Sequence, residues 1–117
     1  MCRDRYSYAH RLDRVTSGLM VFAKTEAAKH TLQADWHKTE KRYLAVVKGS
    51  TPADHCVLRS HLDESGSFKD YSAPSSERTR LAITHYRVMK RFATHALIEL
   101  TPETGQRNQI LGVRYSC

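Results

Sequence analysis

The spacing of hydrophobic positions changes along this chain, and each change predicts an element. Met1 to Ala9 mixes polar and aromatic residues without a clear period and reads as a loose lead-in. Leu19-Met20-Val21-Phe22-Ala23 is a continuous apolar run bounded by Gly18 and Lys24, a length that suits a short buried strand. Thr25 then stands where an N-cap belongs, and Glu26 falls in the first turn, where a carboxylate complements the helix dipole. Ala28, Leu32 and Trp36 follow at four-residue steps, on one face of a helix ending near His37. On that stripe Trp36 reads as a core residue rather than a platform for a stacked base.

Beyond the helix the period shortens. Tyr43 to Lys48 predicts a strand, stopped by Gly49 and the turn-forming Ser50-Thr51-Pro52. Val57 to Leu62 predicts a shorter one. Asp63 to Arg80, with Gly66, Pro74 and many serines, predicts one long loop able to move or to touch a substrate. Leu81 to Phe92 and Thr94 to Leu100 are expected to pair antiparallel, turning at Arg91-Phe92-Ala93-Thr94 without the usual Gly or Asn. No repeat, low-complexity tract or linker interrupts the pattern. Residues 1–117 are therefore expected to form a single α+β domain, a largely antiparallel mixed sheet with packed helices.

Charge narrows the choice of partner. Lys and Arg outnumber Asp and Glu by 19 to 12, a formal net charge of +7. Arg dominates the cations, and its planar fork suits phosphate and base edges. No apolar run is long enough to span a bilayer, and the N-terminus lacks the apolar stretch of a signal peptide. Nucleic acid is thus the favoured partner, and no membrane is expected. Cys2, Cys56 and Cys117 are few, odd in number and unpatterned, which suggests a reducing, cytoplasmic compartment rather than a disulfide scaffold. There is no Cys-x-x-Cys pair, and His55, Cys56 and His61 lack a zinc spacing, so no metal is expected.

The chemistry concentrates in His10-Arg11-Leu12-Asp13-Arg14-Val15-Thr16-Ser17-Gly18. One carboxylate sits between two arginines and is followed by small hydroxyl residues and a glycine. Nearby cations favour the ionised carboxylate and attract phosphate. An ionised carboxylate in such a loop is a plausible nucleophile for chemistry on a nucleotide. The alternative is a surface loop whose Asp merely pairs with Arg.

The same run resembles the catalytic motif of the RluA-type RNA pseudouridine synthases. Lys41-Arg42-Tyr43-Leu44-Ala45-Val46-Val47-Lys48-Gly49 is similar to the family's second motif. Glu99-Leu100-Thr101-Pro102-Glu103-Thr104-Gly105 with Asn108-Gln109-Ile110 is similar to its third, and Ala82 to Val88 to the strand before it. The resemblance covers nearly the whole chain from His10 to Ile110. It implies part of a pseudouridine synthase catalytic core, converting uridine to pseudouridine in rRNA or tRNA. No cofactor and no obligatory protein partner are implied.

Asp13 is then the essential carboxylate, attacking the sugar carbon or the base, or taking a proton from the sugar. Arg11 matches the arginine that holds the RNA open around a displaced uridine. Tyr43 matches the tyrosine that packs against the base, where stacking is worth ~1–3 kcal/mol. Lys41, Arg42 and Lys48 are better read as phosphate contacts than as catalysts. The third motif departs from the family: Gln106 replaces its first arginine, and Leu111 the final arginine expected to pair with the catalytic Asp. Arg107 and Arg114 are the nearby cations that can substitute, with Arg107 the candidate substrate contact. Strands expected before the first motif and sheet expected after the third are not in this sequence, which suggests a truncated or frame-altered product. That leaves a catalytically impaired RNA-binding fragment as the alternative reading.

Overall fold

The computed structural model describes residues 6–49, 51–62, 68–69, 80–105 and 109–110. The chain divides into two compact units, Met1–Thr39 and Glu40–Cys117.

In the first unit, β1 (Ser7–Tyr8) pairs antiparallel with β2 (Phe22–Ala23), Ser7 opposite Ala23 and Tyr8 opposite Phe22. The helix α1 (Glu26–Ala34) packs against both strands. It starts where the sequence predicts. Thr25 is extended, and its Oγ1 accepts the Ala28 N–H at 3.1 Å, satisfying one of the donors a helix leaves open at its start. The end comes earlier than the stripe suggests. Asp35 N–H bonds the Thr31 carbonyl at 3.1 Å, and a single 3₁₀ turn, Trp36–Lys38, carries the chain on. Tightening to 3₁₀ is a common way for a last turn to satisfy its carbonyls. Ala28 and Leu32 are half-buried on the helix as expected, and Trp36, half-buried rather than core, lies past the helix end in the 3₁₀ turn.

The apolar run Leu19 to Ala23 is corrected. Only Phe22 and Ala23 form strand, and only Ala23 is buried; Leu19 is 92% exposed. Its backbone partner β1 is two residues long, so pairing gives out before the run does.

The second unit is a five-stranded antiparallel sheet of order β3-β7-β6-β4-β5. Its strands are β3 (Tyr43–Lys48), β4 (His55–Leu62), β5 (Phe68–Lys69), β6 (Arg80–Arg91) and β7 (His95–Pro102). β3 matches the expected strand at both ends. β4 begins two residues before the expected Val57, because Arg91 organises the turn ahead of it. The Arg91 guanidinium donates to the Thr51 carbonyl at 2.7 Å and to the Asp54 carboxylate at 2.7 Å. β5 falls inside the expected long loop and pairs with His61 and Leu62. Residues 63–67 and 70–79 of that loop lie outside the described residues. The β6–β7 turn closes without Gly or Asn, through a 2.8 Å bond from Phe92 N–H to the His95 carbonyl. A bulge between Val88 and Lys90 shifts the register of this pair.

Alternation along the strands gives the sheet one apolar face. Leu58, Tyr86, Ala96, Ile98 and Leu100 form its buried core, with Tyr43, Ala45, Val47, Val88 and Ile110 packed against them. Ile98 and Leu100 are essentially fully buried, each contributing roughly 1.5–3 kcal/mol of transfer free energy. On the opposite face Arg87 stands directly across from Glu99 and bonds it at 3.3 Å. Cys56 on β4 is disulfide-bonded, so the expectation of reduced thiols does not hold there. An odd cysteine count leaves room for one bridge wherever two thiols come within reach. The α+β class and the antiparallel sheet agree with the sequence reading. Among the described residues no helix is long and apolar enough to cross a membrane.

Candidate active site

Asp13 lies in the first unit, on the loop between β1 and β2. The Thr16 N–H donates to the Asp13 carbonyl at 3.0 Å, so Asp13 opens a four-residue turn, a position that favours Asp. Gly18 follows with φ of 144°, a conformation that L side chains rarely adopt. Asp13 itself is half-buried. Arg11 and Arg14 are exposed, and among the described residues neither makes an ion pair with its carboxylate. The simple alternative of an Asp held by its neighbouring arginines is therefore not the arrangement this loop adopts.

The base of the loop is closed by His10, a residue with no role evident from the sequence alone. The β1–β2 register places Ala9 opposite Val21, and the Ala9 N–H donates to the Val21 carbonyl at 3.1 Å. The reciprocal bond of a regular antiparallel pair is missing. Val21 N–H instead donates to His10 Nε2 at 3.0 Å, and the Ala9 carbonyl receives a long 3.5 Å bond from the Gln33 amide. The His10 ring also stacks on Trp36, with centroids 4.3 Å apart and planes 20° from parallel.

Tyr43 lies in the second unit, first residue of β3, opposite Leu100 and packed against the sheet core. The basic residues around it divide. Arg42 Nε donates to Glu40 at 2.6 Å, and this bond, with the charge of Glu40, raises the Arg42 pKa. Partial burial lowers the pKa of Lys41. Lys48 is exposed at the far end of β3.

The third segment is organised by a residue whose part the sequence did not disclose. Gln109 is buried, and its amide is fully used. Nε2 donates to the Ile83 carbonyl and to Thr84 Oγ1, both at 2.9 Å, while Oε1 accepts from Thr104 Oγ1 at 2.8 Å. Thr104 Oγ1 in turn accepts the Ile83 N–H at 3.0 Å. This network fixes Thr104 and Gln109 against β6. A polar residue in a polar segment carries no periodic signal of burial, so only its position in the motif marked it. Arg107, Leu111 and Arg114 lie outside the described residues. Arg11 and Asp13 thus share one loop, and Tyr43 and Gln109 belong to the other unit.

Comparison with known proteins gives this arrangement its family. The RNA pseudouridylate synthase family matches residues 3–111. Ribosomal large subunit pseudouridine synthase D of Zymomonas mobilis is 35% identical over 113 residues, covering 91% of this chain and 34% of its own. Ribosomal large subunit pseudouridine synthase C of Rickettsia conorii is 35% identical over 109 residues, covering 90% of this chain and 36% of its own. Among solved structures, human RNA pseudouridylate synthase domain containing 4 superposes with a TM-score of 0.79 at 25% identity, covering 90% of this chain and 44% of that one. The chain belongs to the RNA pseudouridylate synthase family. It spans about a third of the length of the curated relatives it matches.

Proposed function

We propose that this chain is the catalytic segment of an RNA pseudouridine synthase acting on uridine in ribosomal RNA, with Asp13 as its essential carboxylate. The reaction is an isomerisation. The bond from the ribose to a ring nitrogen breaks, the uracil turns, and a bond from the ribose to a ring carbon forms. The proton lost from that carbon is balanced by one gained at the nitrogen, so no cofactor enters. What supports Asp13 is its setting: a half-buried carboxylate opening a tight turn, left unpaired by the two arginines beside it. Ribosomal RNA is favoured because the relatives from Zymomonas and Rickettsia are named for the large ribosomal subunit.

The remaining roles follow the motif positions. Arg11, exposed beside Asp13, holds the RNA open where the uridine leaves its stack, a step costing a few kcal/mol. Tyr43 offers the base an aromatic face, and Arg107 contributes a cation to the substrate. Asp13→Asn tests the central assignment, since it keeps the side chain's size and removes its charge. Tritium release from labelled ribosomal RNA is expected to fall to background, with RNA affinity within about twofold of the parent. Full activity in the variant would remove Asp13 from the mechanism.

A further inference from the structure

We infer that His10 is a positioning residue for Asp13, closing the base of the loop through Val21 and Trp36. The inference rests on the proposed role of Asp13. Residues 11–20 leave the β1–β2 ladder at one rung, Ala9 opposite Val21, and only half of that rung is backbone. The other half is the His10 ring. Its Nε2 takes the Val21 N–H at 3.0 Å, which requires a lone pair on that nitrogen and places the ring proton on Nδ1. Residue 10 is the last before the loop and residue 21 the first after it, so a single side chain joins the two stems.

The second contact fixes the ring itself. Stacking on Trp36, at 4.3 Å and 20°, ties the ring to the 3₁₀ turn that follows α1. The ring therefore has a plane set by Trp36 and an edge set by Val21. An open loop of this length would let the Asp13 carboxylate wander, and displacement of a reacting group by about 1 Å can cost on the order of 10²-fold in rate. The β1–β2 pair is too short to hold the stems by backbone bonds alone, since each strand contributes two residues.

Two variants separate the ring's two contacts. His10→Phe keeps an aromatic face for Trp36 and removes the acceptor; His10→Gln loses the stack and keeps an acceptor at similar reach. Amide exchange of Val21 and tritium release from ribosomal RNA are measured on the full chain, with unfolding midpoints as the control for folding. His10→Phe is expected to speed Val21 exchange about tenfold. It is also expected to lower kcat about 10- to 100-fold, with KM within about twofold. His10→Gln is expected to recover Val21 protection and most of kcat. Unchanged Val21 exchange in His10→Phe overturns the proposal, as does faster exchange with unchanged kcat, or a loss carried by KM. Should His10→Phe fail to fold, failure of His10→Gln to keep both protection and kcat overturns it. An inactive parent chain would count against the catalytic reading, while Val21 exchange would still decide whether His10 closes the loop.

Discussion

Asp13 and Gln109 are opposite solutions to placing a polar group where water is scarce. The Asp13 carboxylate is half-buried and has no ion-pair partner among the described residues, a setting suited to chemistry. Gln109 is more deeply buried, and both ends of its amide are bonded, a setting suited to holding structure. Gln109→Leu keeps much of the volume but strips Thr84 and Thr104 of buried partners. The expected loss of stability is about 1–3 kcal/mol, read from urea unfolding. A loss below about 0.5 kcal/mol, typical of surface positions, would show that water replaces the amide. The sequence disclosed Asp13 and His10 unequally. Asp13 stands out because an acid between two arginines before Thr-Ser-Gly is itself a chemical pattern. His10 acts through Val21 and Trp36, residues 11 and 26 positions away, and no local pattern announces such a contact.

At the scale of elements, what was legible depended on whether the signal was local. The N-cap is local: Thr25 needs only the Ala28 N–H three residues on, and the helix starts where the sequence puts it. Thr25→Ala is expected to lower stability by about 0.5–2 kcal/mol in thermal or urea unfolding, and Thr25→Ser to restore most of it. An effect of Thr25→Ala on the helix should also reach Trp36, whose fluorescence is the chain's single tryptophan signal. The helix end is less local, since stepping by fours continues past the point where Asp35 begins the 3₁₀ turn. Burial of Leu19 to Phe22 was not legible at all. An apolar run says that a strand can be buried, but a partner strand and a covering layer decide whether it is. β3, β6 and β7 are legible to within two residues at each end because each carries its alternation over six residues or more and finds a long antiparallel neighbour.

At the scale of the whole molecule, the net charge of +7 is fully legible in the sequence, but the structure decides which cations can meet a phosphate. Arg42 is engaged by Glu40, and Arg87 by Glu99, whereas Lys48 is exposed at the end of β3. If phosphate contacts dominate RNA affinity, binding must weaken with salt, because each neutralised phosphate releases condensed counterions. Contact with about four phosphates of single-stranded character would give a slope of roughly −3 in log K against log salt, or about 60-fold weaker binding for a fourfold rise in salt. The measurement is a salt series of dissociation constants on a fragment of large-subunit ribosomal RNA. Lys48→Gln is expected to flatten the slope by about 0.7, one phosphate's share, whereas Arg42→Gln should flatten it less because Glu40 already neutralises that guanidinium. Asp13→Asn should leave the slope unchanged, since the role proposed for its carboxylate lies in the reaction and not in contacts with the RNA backbone. A flat response in the parent chain would show that the excess of cations is a solvated surface. Base stacking on Tyr43 and other uncharged contacts would then have to carry the affinity.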